Sequence, residues 1–204
     1  MQIFFENDCD IVSIVSHLKE GKILVYPTET CYGLGCDATN ASAVSKIFDI
    51  KKRQKKKTVL IIVSSIQMAM EYIFWNEKLQ RVAERYWPGP LTIVAPAKNQ
   101  ELFPEGVVAE DGTLAFRISS HPFVEAIVEE LQRPLVSTSA NISSQKSPYN
   151  IEDVKNMFAN CYRKPDIVID AGELPHKAPS TIIRINQSTI EILRQGELII
   201  DSKI

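Results

Sequence analysis

Lys22-Ile23-Leu24-Val25-Tyr26-Pro27 reads as a buried strand closed by proline, which has no N–H to give to a ladder. What flanks this run decides the fold class. Upstream, Asp10 precedes Ile11, Ile14, Val15 and Leu18 at helical spacing, and Gly21 stops that helix. Downstream, Asn40 is placed to cap a second helix with Val44, Ile47 and Phe48 on its apolar face, together with Ala43. The β-branched run from Thr58 to Val63 then reads as a strand. A helix through Leu79, Val82 and Tyr86 ends at Pro88-Gly89-Pro90. Strands follow at Leu91–Ala95 and Thr113–Ile118, separated by a long polar loop. Pro122–Leu131 reads as a helix, Leu135–Thr138 as a strand, and Asn150 opens a helix carrying Ile151, Val154 and Phe158. Ile167–Ile169, Thr181–Ile185 and Ile190–Leu193 read as the last strands. Strand and helix alternate for most of the length, which is the α/β class. The last strands have no helices between them, so the sheet is expected to be mixed, with antiparallel pairs. With no internal repeat and no linker, residues 1–204 are expected to form one domain: a twisted parallel/antiparallel sheet with flanking helices.

The composition excludes several classes. The 204 residues are 45% hydrophobic and 24% charged, an ordinary globular balance. The net charge of −2 rules out binding nucleic acid through bulk positive charge, so an anion site must come from local clustering. No apolar run is long enough to span a bilayer, and the first residues lack the basic and apolar regions of a signal peptide. Cys9, Cys31, Cys36 and Cys161 fit no zinc spacing. They are expected to be reduced thiols in a cytoplasmic protein with no membrane association.

Five segments are candidates for chemistry. In Pro27-Thr28-Glu29-Thr30-Cys31-Tyr32-Gly33-Leu34-Gly35 a strand end runs into hydroxyls and glycines. That is either a ligand loop or a turn with glycines in tight places. Lys51-Lys52-Arg53-Gln54-Lys55-Lys56-Lys57 is either a solvated cluster answering a helix C-terminus or a site for phosphate or an RNA backbone. Ser137-Thr138-Ser139-Ala140-Asn141 follows an apolar strand and is either a polar turn or a cradle for phosphate and sugar oxygens. Arg117, within an apolar strand, needs an anionic partner if buried. Leu193-Arg194-Gln195-Gly196 by itself is a turn after a strand. There is no P-loop, no GxSxG elbow and no HExxH helix, and the three histidines are scattered. A hydrolytic triad and a zinc site therefore have little support.

In this order the segments resemble the YrdC-type threonylcarbamoyl-AMP synthases. Those are marked by a Pro-Thr-Asp/Glu-Thr loop leading to Tyr-Gly-Leu, a Lys-x-Arg after a helix and a Ser-x-Asn after a strand. Here these are PTETCYGLG from Pro27, Lys51-Lys52-Arg53 and Ser139-Ala140-Asn141. Arg85 to Thr92, Phe116-Arg117 with His121-Pro122, Pro179 to Ile182 and Leu193 to Gly196 extend the likeness over nearly the whole chain. Gln54 stands where the family usually has Pro, Ile62 where many members have His, and Gln195 where many have Pro. The chain resembles the single-domain form.

The resemblance implies a reaction of ATP, L-threonine and bicarbonate (or CO2) that yields threonylcarbamoyl-AMP for tRNA modification, with Mg²⁺ accompanying ATP. It implies Lys51 and Arg53 as catalytic residues. It implies nucleotide contacts at Arg53, Lys57, Thr113, Ser139, Asn141, Ser147 and Arg194, and threonine contacts at Thr30, Arg117, Ser137 and Ser180. A tRNA threonylcarbamoyl-transferase complex is the implied recipient of the product. Two rival readings remain: a tRNA- or double-stranded-RNA-binding module without chemistry, and a diverged carbamoyl-adenylate-forming relative.

Overall fold

The structure is a computed structural model that describes residues 1–186 and 189–201. Residues 187–188 and 202–204 of the expected 1–204 domain lie outside the described residues. Among the described residues ten strands form one sheet: β1 (Gln2–Phe5), β2 (Leu24–Tyr26), β3 (Gly33–Asp37), β4 (Leu60–Ile62), β5 (Leu91–Pro96), β6 (Thr113–Arg117), β7 (Leu135–Ser139), β8 (Ile167–Asp170), β9 (Thr181–Ile185) and β10 (Ile190–Arg194). Their order is β1-β8-β2-β3-β7-β4-β6-β5-β9-β10. The pairs β1/β8, β2/β8, β4/β6 and β5/β9 are parallel, and the others antiparallel. The expected mixed α/β sheet is therefore present.

Six α-helices flank it: α1 (Ile11–Lys19), α2 (Ala41–Lys51), α3 (Ile66–Tyr72), α4 (Glu77–Tyr86), α5 (Pro122–Leu131) and α6 (Ile151–Phe158). Their starts are chemically marked. The side chains of Asp10, Asn40 and Asn150 accept hydrogen bonds from Val12, Ala43 and Asp153 N–H groups, satisfying donors that the helix leaves free. Pro122 sits at the first turn of α5, where its missing N–H costs nothing. No helix among the described residues is long and apolar enough to cross a membrane. All four cysteines are free thiols.

Strand alternation divides the core in two. Ile61, Phe116, Ile93, Ile183, Val136 and Leu34 point to one face, where α2, α4 and α6 contribute Ile47, Leu79, Val82 and Phe158 to the larger cluster. The neighbouring residues Tyr26, Ile62 and Leu135 point to the other face. There α1 and α5 cover them with Ile14, Leu18, Phe123, Ile127 and Leu131. These two helices cover only part of that second face.

β1, β3 and α3 go beyond the sequence expectation. Gly33 and Gly35, expected in a ligand loop or a turn, belong instead to β3, which pairs with both β2 and β7. The glycines are what permit it: a Cβ on Gly35 would stand 2.2 Å from Val136 O and 2.9 Å from the Tyr26 ring. Backbone cannot yield as a flexible side chain would. Gly35→Ala should therefore lose about 2–3 kcal/mol or more of stability, as overpacking does. A lower urea midpoint at unchanged denaturant slope would register it.

Candidate functional site

The uncovered half of the second face is a cavity of about 560 Å³. Small residues make up much of its floor. Along β6, Thr113, Ala115 and Arg117 line the cavity, whereas Leu114 and Phe116 enter the core. Ser137 and Ser139 on β7, Thr92 on β5 and Gly33 on β3 continue the floor.

Arg117 marks one end. It is 4% exposed, and its Nη1 lies 2.8 Å from Glu29 Oε1. The other Glu29 oxygen accepts a 2.5 Å bond from Ser119 Oγ. Arg117 Nε is buried without a protein partner, so the guanidinium is fastened on one edge and open on another. Thr30, Ser137 and Ser180, expected threonine contacts, line the same cavity. The Thr28 hydroxyl donates to Cys31 O at 2.7 Å, which makes Thr30 the donor in the 3.1 Å contact between the two hydroxyls. The Thr30 lone pairs remain as acceptors. Burial pushes the Cys31 thiol up, away from thiolate.

Two further arginines repeat the one-edge pattern. Arg53 donates from Nε to Lys57 O at 2.7 Å and from Nη2 to Thr58 O at 2.9 Å. Arg194 donates from Nε and Nη2 to Ser180 O at 3.1 and 2.7 Å, and from Nη2 to Ser180 Oγ at 3.1 Å. Among the described residues these bonds use Nε and Nη2 and not Nη1. Arg53, Thr113, Ser139, Ser147 and Arg194 all line the cavity. Burial lowers the pKa of both arginines, with the Arg117 charge adding to the effect at Arg194.

The basic run does not behave as one cluster. Lys51 is the last residue of α2 and only 1% exposed. Its Nζ donates to Ser139 O at 2.5 Å, Asn141 O at 2.7 Å and Asn141 Oδ1 at 3.1 Å. Asn141 Oδ1 also accepts from Ser139 Oγ at 2.5 Å. Lys51 and Asn141 thus stand behind the cavity wall and fasten α2 to the turn after β7. Lys55 pairs with Glu105 at 3.0 Å. Lys57 is exposed, and it meets Arg53 through its backbone carbonyl. Ile62, at the position where many members of the resembled family have His, is buried under α5 with Tyr26 and Leu135.

Burial, then the Arg53 charge, pushes the Lys51 ammonium down to about 7 from 10.5. A folded-state value below the unfolded one means that the unfolded chain holds the extra proton between about pH 7 and 10.5. The Lys51 contribution to stability therefore rises with pH across that window. Lys51→Met removes three hydrogen bonds, although Asn141 Oδ1 keeps Ser139 Oγ and Ser139 O keeps the Asn141 N–H as donors, and should cost about 1–3 kcal/mol. The gap between wild type and variant in urea midpoint should widen as pH is raised from 7 to 10.

Sequence reading missed Glu29 as the partner of Arg117, and Arg184 as a cavity residue. Arg184 had a signal: counting by twos from Ser180 along β9 reaches Ile182 and then Arg184, and all three line the cavity.

Comparison with known proteins follows this geometry. The Sua5, YciO and YrdC family model, described as "Telomere recombination", matches residues 16–196. A threonylcarbamoyl-AMP synthase of Aliivibrio fischeri is 33% identical over 186 residues, 90% of this chain and 97% of that one. One from Pyrococcus abyssi is 34% identical over 183 residues, 89% of this chain, and this chain spans 52% of its length. The crystal structure of Pyrococcus abyssi Sua5 complexed with L-threonine superposes with a TM-score of 0.82 at 33% identity, covering 91% of this chain and 54% of that one. The chain belongs to the Sua5/YciO/YrdC family.

Proposed function

We propose that this chain is an L-threonylcarbamoyladenylate synthase. It converts ATP, L-threonine and bicarbonate into threonylcarbamoyl-AMP, pyrophosphate and water. The observation that carries the reading is a single cavity holding two kinds of site. A buried arginine with an open edge stands among hydroxyls (Arg117 with Thr30, Ser137 and Ser180). Further arginines and hydroxyls stand beside it (Arg53 and Arg194 with Thr113, Ser139 and Ser147).

The Arg117 fork suits the threonine carboxylate, and Thr30 and Ser137 receive its polar groups. The threonine amine and bicarbonate give a carbamate and water. A carbamate oxygen attacks the α-phosphate, forming the new P–O bond as the bond to pyrophosphate breaks. The carbamate is already an anion, so no side-chain nucleophile is required. What the protein must supply is position and positive charge. Arg53 and Arg194 hold the phosphates, with Lys57 close by. Lys51 and Asn141, bonded to Ser139, act as positioning residues. Among the described residues no group of three His, Cys, Asp or Glu side chains is placed to hold a metal ion. Mg²⁺ would enter as part of the ATP substrate and would supply charge neutralisation at the phosphates. The product passes to a tRNA threonylcarbamoyl-transferase complex in the cytoplasm.

Incubation with ATP, threonine and bicarbonate, read by mass spectrometry with each component omitted in turn, tests this directly. The threonylcarbamoyl-AMP mass is expected only in the complete mixture. Its absence there with folded protein refutes the reading. Strong salt-dependent RNA binding without ATP consumption would instead favour the RNA-binding alternative.

A further inference from the structure

Arg184 lines the cavity and has no part in the reaction just described. On β9 it stands opposite Val94, and Val94 stands opposite Ala115 of β6. Thr113 is the next cavity-facing residue along β6, at the end away from Arg117. The β4/β6 register pairs Ile61 with Phe116; continued backwards, it brings Thr58 beside Thr113. Thr58 and Arg184 therefore flank Thr113 from opposite sides, their backbones three strand spacings apart, roughly 14 Å, and the Arg53 side chain reaches this end through its bond to Thr58 O.

Asp111 ties this end together. Its Oδ1 accepts from Thr113 N at 3.1 Å and from Thr113 Oγ1 at 2.6 Å. Its Oδ2 lies 3.2 Å from Arg184 Nη2. The Thr113 hydroxyl, with help from Arg184, holds the Asp111 carboxyl below its ordinary range, so it stays ionised. Both carboxylate oxygens are thus engaged, and what this corner offers a ligand is donors. Arg184 Nε is buried without a protein partner. A plain surface ion pair would leave that group in water; here it has lost water and gained nothing. Two guanidiniums spread across one end suit an extended polyanion better than a single carboxylate. A nucleobase or a ribose carries no charge for them to answer.

We propose that Arg184 is a further phosphate-binding residue, engaging with Arg53 the pyrophosphate portion of ATP, and that Asp111 is its positioning residue. The assignment rests on the ATP-dependent reading above. Calorimetric titration of wild type, Arg184→Gln and Arg184→Lys with ATP, inorganic pyrophosphate and AMP tests it. Arg184→Gln is expected to weaken ATP and pyrophosphate each by about tenfold or more, the size of a lost charge-assisted hydrogen bond. AMP affinity stays near wild type. Arg184→Lys recovers part of the loss, because it keeps the charge without the fork, and it answers the question even if the glutamine variant folds poorly. Unchanged ATP and pyrophosphate affinities in folded Arg184→Gln, or an AMP loss as large as the ATP loss, overturn the assignment. Wild type that binds ATP tightly while the variants match it isolates the failure to Arg184. Wild type that binds no ATP overturns the parent reading as well.

Discussion

Arg53→Ala is expected to slow threonylcarbamoyl-AMP formation by about 10²–10³-fold, or roughly 3–4 kcal/mol, as removal of one preorganised donor does in other active sites. The size follows from how the side chain is held. Two of its nitrogens are committed to Lys57 O and Thr58 O, so the remaining edge is aimed before substrate arrives and pays little ordering entropy in the reaction. The charge develops on departing pyrophosphate, so the loss should fall on the chemical step more than on threonine binding. Arg53→Lys should recover only a minor part. An ammonium cannot bond both carbonyls and still present a flat edge to phosphate. Single-turnover rates at saturating ATP and threonine measure the effect. Near-normal rates in the alanine variant would remove Arg53 from the mechanism.

Arg117→Ala should produce two losses that can be separated. Glu29 is 12% exposed at its side chain, and without Arg117 its carboxylate is left buried with Ser119 as hydrogen-bond partner. Breaking a buried pair from one side costs about 3–5 kcal/mol, visible as a large fall in urea midpoint. The second loss is functional: the threonine concentration needed for half-maximal rate should rise more than tenfold, the scale of a lost charge-assisted fork. Arg117→Ala combined with Glu29→Gln distinguishes them. The double variant no longer buries an unpaired charge, so much of the stability should return while the threonine requirement stays high. A threonine requirement that returns along with stability would make Arg117 a structural residue only.

The parts of this protein that were legible in its sequence are those whose physics is local. Asp10, Asn40 and Asn150 each announce a helix because the cap bonds lie two or three residues away. Pro122–Leu131 and Thr181–Ile185 have the bounds their patterns predict. The site residues were named through ordered motifs, and most of them share one cavity.

What the sequence could not assign are the long-range partners. β3 looked like loop because glycines weaken a strand on propensity, and only the close approach of Tyr26 and Val136 explains them. β1 is a short edge strand whose ladder partner, β8, lies at the far end of the chain. The basic run looked like one patch, yet Lys51 turns inward to oxygens of Ser139 and Asn141, 88 and 90 positions away. Glu29 meets Ser119 across 90 positions and pairs with Arg117 beside it.

The sequence alone determined the α/β class, the helix starts and the inventory of hydroxyls and cations. The tertiary structure decided which cations face a ligand and which serve as struts. The physical reason is that the orientation and charge state of a buried cation depend on the oxygens that fold against it, and here those oxygens come from distant strands. The opening run Lys22–Tyr26 shows the same division. Its apolar character marked a buried strand, but its neighbours in the sheet, β8 and β3, were fixed only when the chain closed around it.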